Sequence, residues 1–311
     1  MGTAFLDWAL AEFSGYGALD EWYDGPFWVL SAVDNRRDKR LLYDGLDHDP
    51  HPEDIRAFLE RLKTALAVRD LTLLGVTTEG SPLSPDPLRD VFGDVPHQVC
   101  AFHVVKEVVK AVLRAVASAR KSLAAKQPKL PKGRPRTQAA KKAARKKKRL
   151  AQQGAEVCTH RHLLVKHHLK PGERKRLWRI TRGLPLLRKL REMMEQVYAL
   201  FDQRCRMQTA LDKLTKLRRR LNRFNHLGES LKKRFSPTLE KALVFLDDKL
   251  LPSTSHAVER GNRRYRKRQK SLYSVRTQEQ SSARIALDMW REAQGEGRDQ
   301  TLRALHDARA G

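Results

Sequence analysis

The sequence predicts an α/β fold with element order β-β-β-α-β-α-β-α, in which a large basic all-helical region precedes the last acid-bearing helix. Three observations predict it. Short β-favouring segments recur between Asp-Gly and Asp-Asn turns over residues 17–46. A nearly continuous apolar run, LTLLGVTT, lies between two helical patterns, as a strand buried on both faces requires. Beyond residue 100 the pattern becomes almost wholly helical and the charge reverses sign.

GALDEW (17–22), PFWVLSAVD (26–34) and KRLLYDGL (39–46) make the first three strands, a meander closed by tight turns. Residues 52–68 place Ile55, Phe58, Leu59, Leu62 and Leu66 on one face behind a proline near the first turn, which predicts an amphipathic helix. LTLLGVTT (71–78) is the central strand. A short helix follows over 85–92, and HQVCAFHVV (97–105) reads as a strand running into a long helix.

The chain has 311 residues and a formal net charge of +27. Residues 1–100 hold 9 Lys/Arg against 18 Asp/Glu, a net of −9, so the remainder holds 54 against 18, a net of +36. A surface that basic calls for a polyanion, and nucleic acid is the usual one. No window approaches a membrane span and no basic, apolar leader opens the chain, which predicts an intracellular, cytoplasmic protein. Three scattered cysteines give no disulfide framework.

Residues 1–118 read as the first part of an α/β core. Residues 119–150 read as a basic flexible linker, 151–252 as a helical insertion and 253–311 as C-terminal helices that complete the core. Within the linker, residues 120–149 carry 14 Lys/Arg and no acid, with Pro128, Pro131, Gly133 and Pro135 breaking regular structure. KGRPR (132–136) has the form of a minor-groove hook, which makes Lys132 and Arg134 candidate DNA contacts. In the insertion, Gly183 and Pro185 split a stripe running from Leu177 to Leu200, and Leu211, Leu214, Leu217 and Leu221 form another. CTHRH (158–162) with His167 and His168 reads as helix and loop, because no second cysteine pair stands at zinc spacing. Trp178 reads first as a core residue, with stacking on an unpaired base as its functional alternative.

Three carboxylates stand out: Asp20 inside the first strand, Glu79 at the end of the apolar strand, and Glu259 in STSHAVERGNRRYRKRQK, a helix capped by Ser253, Thr254 or Ser255 and surrounded by cations. Asp34, after the second strand, rivals Asp20. In-line attack on a phosphodiester uses two divalent ions about 3.5–4 Å apart held by hard oxygen ligands. Acids on a strand, its parallel neighbour and a helix behind them can meet at one edge of a sheet.

The DE pair of the first strand, the run ending in TTEGSPL, DVPHQVCAFHVVKE with its Cys-x-x-His, the basic helical insertion and PSTSHAVERGNRR together resemble an insertion-sequence transposase of the DDE type. The similarity is to the Cys-x-x-His group related to Mutator-like transposases, and it covers about residues 17–290. It implies a ribonuclease H-like mixed sheet, with Asp20, Glu79 and Glu259 as catalytic acids holding two Mg²⁺ (or Mn²⁺) ions. Cys100 and His103 become supporting residues beside that edge. The resemblance further implies that Arg260, Arg263, Arg264, Tyr265, Arg266 and Lys267 would grip transposon-end DNA. The implied partners are terminal repeats, target DNA and further copies of the chain in a homodimer or larger assembly.

The family ordinarily has Asp where this chain has Glu79, one methylene longer, and only 19 residues precede Asp20. A chain truncated at its N-terminus is the corresponding expectation. The alternatives are a catalytically impaired relic that still binds DNA, and a nuclease or resolvase of the same fold.

Overall fold

A computed structural model describes residues 3–24, 27–130, 133–221, 237–263 and 277–294. They form two compact units: Met1–Cys100 with Asp248–Gly311, and Ala101–Asp247.

The first unit is built on a five-stranded mixed sheet. Its strands are β1 (Tyr16–Asp24), β2 (Phe27–Asp34), β3 (Arg40–Leu46), β4 (Gly75–Thr78) and β5 (His97–Val99), in the order β3-β2-β1-β4-β5. The β1-β2-β3 meander is antiparallel, whereas β4 pairs parallel to β1 and β5 parallel to β4. β1 is therefore the middle strand, and the predicted apolar strand is an interior one. It is also shorter than its apolar run. Leu71–Leu74 lie outside the ladder, Leu74 turning half-exposed while its amide donates to the Gly15 carbonyl.

The two sheet faces are covered differently. Leu19, Leu30, Ala32 and Val76 pack against α2 (Pro52–Ala67) and α3 (Pro85–Phe92), whose buried residues include Ile55, Phe58, Leu59, Leu62 and Leu88. α2 starts where the sequence predicts: Pro52 fills the first turn, and the Asp54 carboxylate accepts the His51 amide at 2.8 Å. A helix the sequence reading did not anticipate, α1 (Thr3–Leu10), adds Ala9 and Leu10 to this layer. On the other face, Ala18 and Val33 meet Ala257 and Val258 of helical residues 256–263, while Trp22 and Val29 meet Ile285 and Met289.

Among the described residues the second unit is all-helical. It comprises α4 (Ala101–Ala125), α5 (Gln138–Thr159), α6 (Pro171–Ile180), α7 (Pro185–Leu200), α8 (Met207–Leu221) and α9 (Pro237–Lys241), with short 3-10 turns at Arg161–Leu164 and Val244–Leu246. The break at Gly183 and Pro185 falls where the sequence places it. Val112 and Val116 from α4, Leu190 and Val197 from α7, and Leu214 and Leu217 from α8 share one core. Residues 101–118, grouped by sequence with the sheet, belong to this unit.

Much of the stretch read as a flexible linker is regular: α4 extends to Ala125, and α5 starts at Gln138 with the Thr137 hydroxyl accepting the Ala140 amide at 3.1 Å. Alanine, lysine, arginine and glutamine are strong helix formers, and that propensity prevails here over the charge. Only Val157 of α5 is buried, so its Lys/Arg run from Lys141 to Arg149 faces solvent.

Candidate functional site

β1 alternates. Ala18, Asp20 and Trp22 point to the face covered by helical residues 256–263 and the helix Gln278–Gln294, while Leu19 points to the opposite face. On β4, Val76 shares the Leu19 face, and Thr77 donates its hydroxyl to the Pro252 carbonyl at 2.8 Å on the Ala18 face. Leu19 is in register with Thr78. Asp20, midway along β1, and Glu79, the first residue after β4, each follow that pair by one step. Gly80 has φ +92, and a Cβ there would come within 2.9 Å of Val99, so glycine lets the chain turn sharply just after Glu79.

The segment before Glu259 is fastened along that same face. The Tyr16 hydroxyl donates to Asp248 at 2.8 Å; burial first, and then that carboxylate, push the phenol's pKa up. Gly75 leaves room for Leu251, which would stand 2.9 Å from a Cβ there. Asn35 donates to the Thr254 carbonyl at 3.0 Å, and the Ser255 amide donates to Cys100 Sγ at 3.4 Å. The Ser255 carbonyl then accepts the Glu259 amide, opening the helix over residues 256–263.

These constraints bring one carboxylate oxygen of Glu79 and one of Glu259 within 4.8 Å of each other, both side chains half-buried. Two oxygens on one Mg²⁺ at about 2.1 Å lie at most about 4.2 Å apart, so a small closure suits a hard cation. The pair could hold a metal ion. Glu259 also lies 3.3 Å from His256 Nδ1. Asp20, 9% exposed on the same face, accepts the Asn262 side-chain amide at 2.5 Å.

The remaining candidates fall in several places. Cys100 is buried at the end of β5, where its thiol meets the start of the Glu259 helix. His103 stands three residues on, in the first turn of α4 in the helical unit. Arg260 is exposed but forms an ion pair with Asp38, while Arg263 and Arg134 are exposed. Lys132, Arg264, Tyr265, Arg266 and Lys267 lie outside the described residues.

Two expectations change. Asp34, the rival first acid, is fully buried and accepts the Ser14 amide at 2.8 Å, the Ser14 hydroxyl at 2.6 Å, and the Arg36 and Arg37 amides at 3.0 and 3.1 Å. It organises the β2–β3 turn. Trp178 is 66% exposed rather than core, with the Arg188 guanidinium 4.3 Å above its ring. The sequence reading missed Asn262, whose signal was its place one helical turn after Glu259.

Among the described residues no helix is long and apolar enough to cross a membrane. No known protein family matches the chain, and no curated protein matches it significantly in sequence.

Proposed function

We propose that this chain is the catalytic region of a DDE-type insertion-sequence transposase, which cleaves the phosphodiester at transposon ends and joins the freed 3′ hydroxyl to target DNA. The observation that carries the proposal is the approach of a Glu79 and a Glu259 carboxylate oxygen to within 4.8 Å, with Asp20 and Glu79 each one step beyond the paired Leu19 and Thr78 of neighbouring parallel strands. The strand order, with two parallel strands beside an antiparallel meander, supports assignment to the ribonuclease H-like group.

Asp20, Glu79 and Glu259 would hold two Mg²⁺ or Mn²⁺ ions. Bound there, such ions supply charge stabilisation at the attacking and leaving oxygens. The chain's own contribution is positional. β1 holds Asp20, Glu79 follows the end of β4, the Tyr16, Thr77, Asn35 and Cys100 contacts place the third acid, and the exposed cations of α5 and Arg263 would supply phosphate contacts. Cys100 would support the third acid through its contact with the Ser255 amide. Terminal-repeat and target DNA, and a multimeric assembly on them, are the corresponding partners.

The direct test is nicking of end-containing DNA by the purified chain. Mn²⁺-dependent nicking that disappears in Asp20→Ala and Glu259→Ala supports the enzyme. Salt-sensitive DNA binding with no nicking in any divalent ion contradicts it and favours a relic, the reading to which the longer Glu79 side chain points. Cleavage of RNA hybrids or branched DNA without joining would point to a nuclease or resolvase.

A further inference from the structure

The geometry points to Asn262 as a positioning residue that sets the Asp20 carboxylate for metal binding, an inference that rests on the proposed metal site. Asn262 is 7% exposed and Asp20 9%, and the amide nitrogen lies 2.5 Å from Asp20 Oδ2. An ionised carboxylate only accepts hydrogen bonds, so the NH₂ end of Asn262 must face Asp20. The Asn262 oxygen then lies 3.5 Å from the Ser31 hydroxyl. Ser31 is the register partner of Asp20 on β2, and its hydroxyl is 3.4 Å from the Asp20 carbonyl oxygen. The Ser31 hydroxyl has one proton and two oxygens near it, so the contact that fixes the amide is the one to Asp20.

The chemistry of this contact differs from that of another buried acid in the same unit. Asp288 meets the Arg40 guanidinium at 2.8 Å, an ion pair that supplies a full positive charge. An amide donor instead fixes the plane of a carboxylate while adding no net charge, which preserves the acid's attraction for a cation.

Asn262 also stands one turn after Glu259, so a single short helix would carry one metal ligand and orient another. Close approach is helped by Gly261, where a Cβ would come within 3.3 Å of the Arg40 side chain. Residues that orient a ligand from behind typically change metal affinity 10- to 100-fold when removed.

The test is Mn²⁺ titration of the full chain without DNA, followed by the electron paramagnetic resonance of free Mn²⁺, with thermal unfolding as a fold control. Asn262→Ala is expected to weaken Mn²⁺ binding by about tenfold. In an Asp20→Asn background the same change is expected to have no further effect, because a double-mutant cycle isolates the pair. Asn262→Ser, whose hydroxyl is too short to reach Asp20, serves as a second variant with the same expectation. If Glu79→Gln and Glu259→Gln abolish Mn²⁺ binding while Asn262→Ala and Asn262→Ser stay within twofold of wild type, the inference is overturned and the metal site stands. Equal weakening with and without Asp20 also overturns it, because a purely structural effect is additive. If wild-type binding is absent or insensitive to Glu79→Gln and Glu259→Gln, the metal site fails and the inference fails with it.

Discussion

Cys100 Sγ accepts the backbone amide of Ser255 at 3.4 Å, joining the end of β5 to the start of the Glu259 helix across 155 residues of chain. Both groups are buried. Cys100→Ala leaves that amide without its acceptor and is expected to cost about 1–2 kcal/mol. Cys100→Ser, with a shorter bond to its oxygen, should recover part of the loss. Urea unfolding of the three proteins checks this, and an unchanged midpoint in Cys100→Ala would remove the contact from the explanation of how Glu259 is placed.

Asp34 and Asp20 separate structural from functional acid. Asp34→Asn removes the charge that four donors share and is expected to lose about 3 kcal/mol of stability. Asp20→Asn is expected to change stability by less than about 1 kcal/mol while abolishing metal-dependent nicking. Paired urea melts and nicking assays decide it; a reversal of the two outcomes would return Asp34 to the role of first acid.

Trp178 offers a test inside the helical unit. With its ring exposed beneath Arg188, Trp178→Ala should cost less than about 1 kcal/mol, the scale of an exposed cation–π contact. A buried tryptophan would cost about 3–5 kcal/mol. Thermal unfolding reads the difference directly.

The meander, α2, α3 and the split between α6 and α7 were legible because each is written locally, in turn residues, helical spacing and a Gly/Pro break. The strand at residues 71–78 was read too long, since its apolar run continues into Leu71–Leu74, which pack outside the ladder. α5 was obscured because a run of lysines resembles a solvated coil in composition but a helix in propensity. Trp178 was misplaced because a tryptophan is more often core than exposed, while only the fold decides which side of α6 is covered. At the candidate site, the place of Asp20 followed from its β-favouring segment and that of Glu79 from the unbroken apolar run before it. The contacts from Asn262 to Asp20 and from Ser255 to Cys100 did not, because they join residues 242 and 155 positions apart.

Glu79→Asp restores the side-chain length usual in the resembled family. A displacement of about 1 Å at a reacting centre can cost about 10²-fold in rate, so this change is expected to raise Mn²⁺-dependent nicking by up to that factor. Single-turnover nicking rates measure it. A slower variant would show that the site is tuned to glutamate.

The most direct measurement of the central claim is strand joining. A labelled, pre-nicked transposon end is incubated with the full chain, Mn²⁺ and a supercoiled target plasmid, beside Glu259→Gln. The expected result is label covalently attached to the plasmid through the 3′ end with wild type and none with Glu259→Gln. Normal DNA binding with no joined product, or the same product from Glu259→Gln, would contradict it.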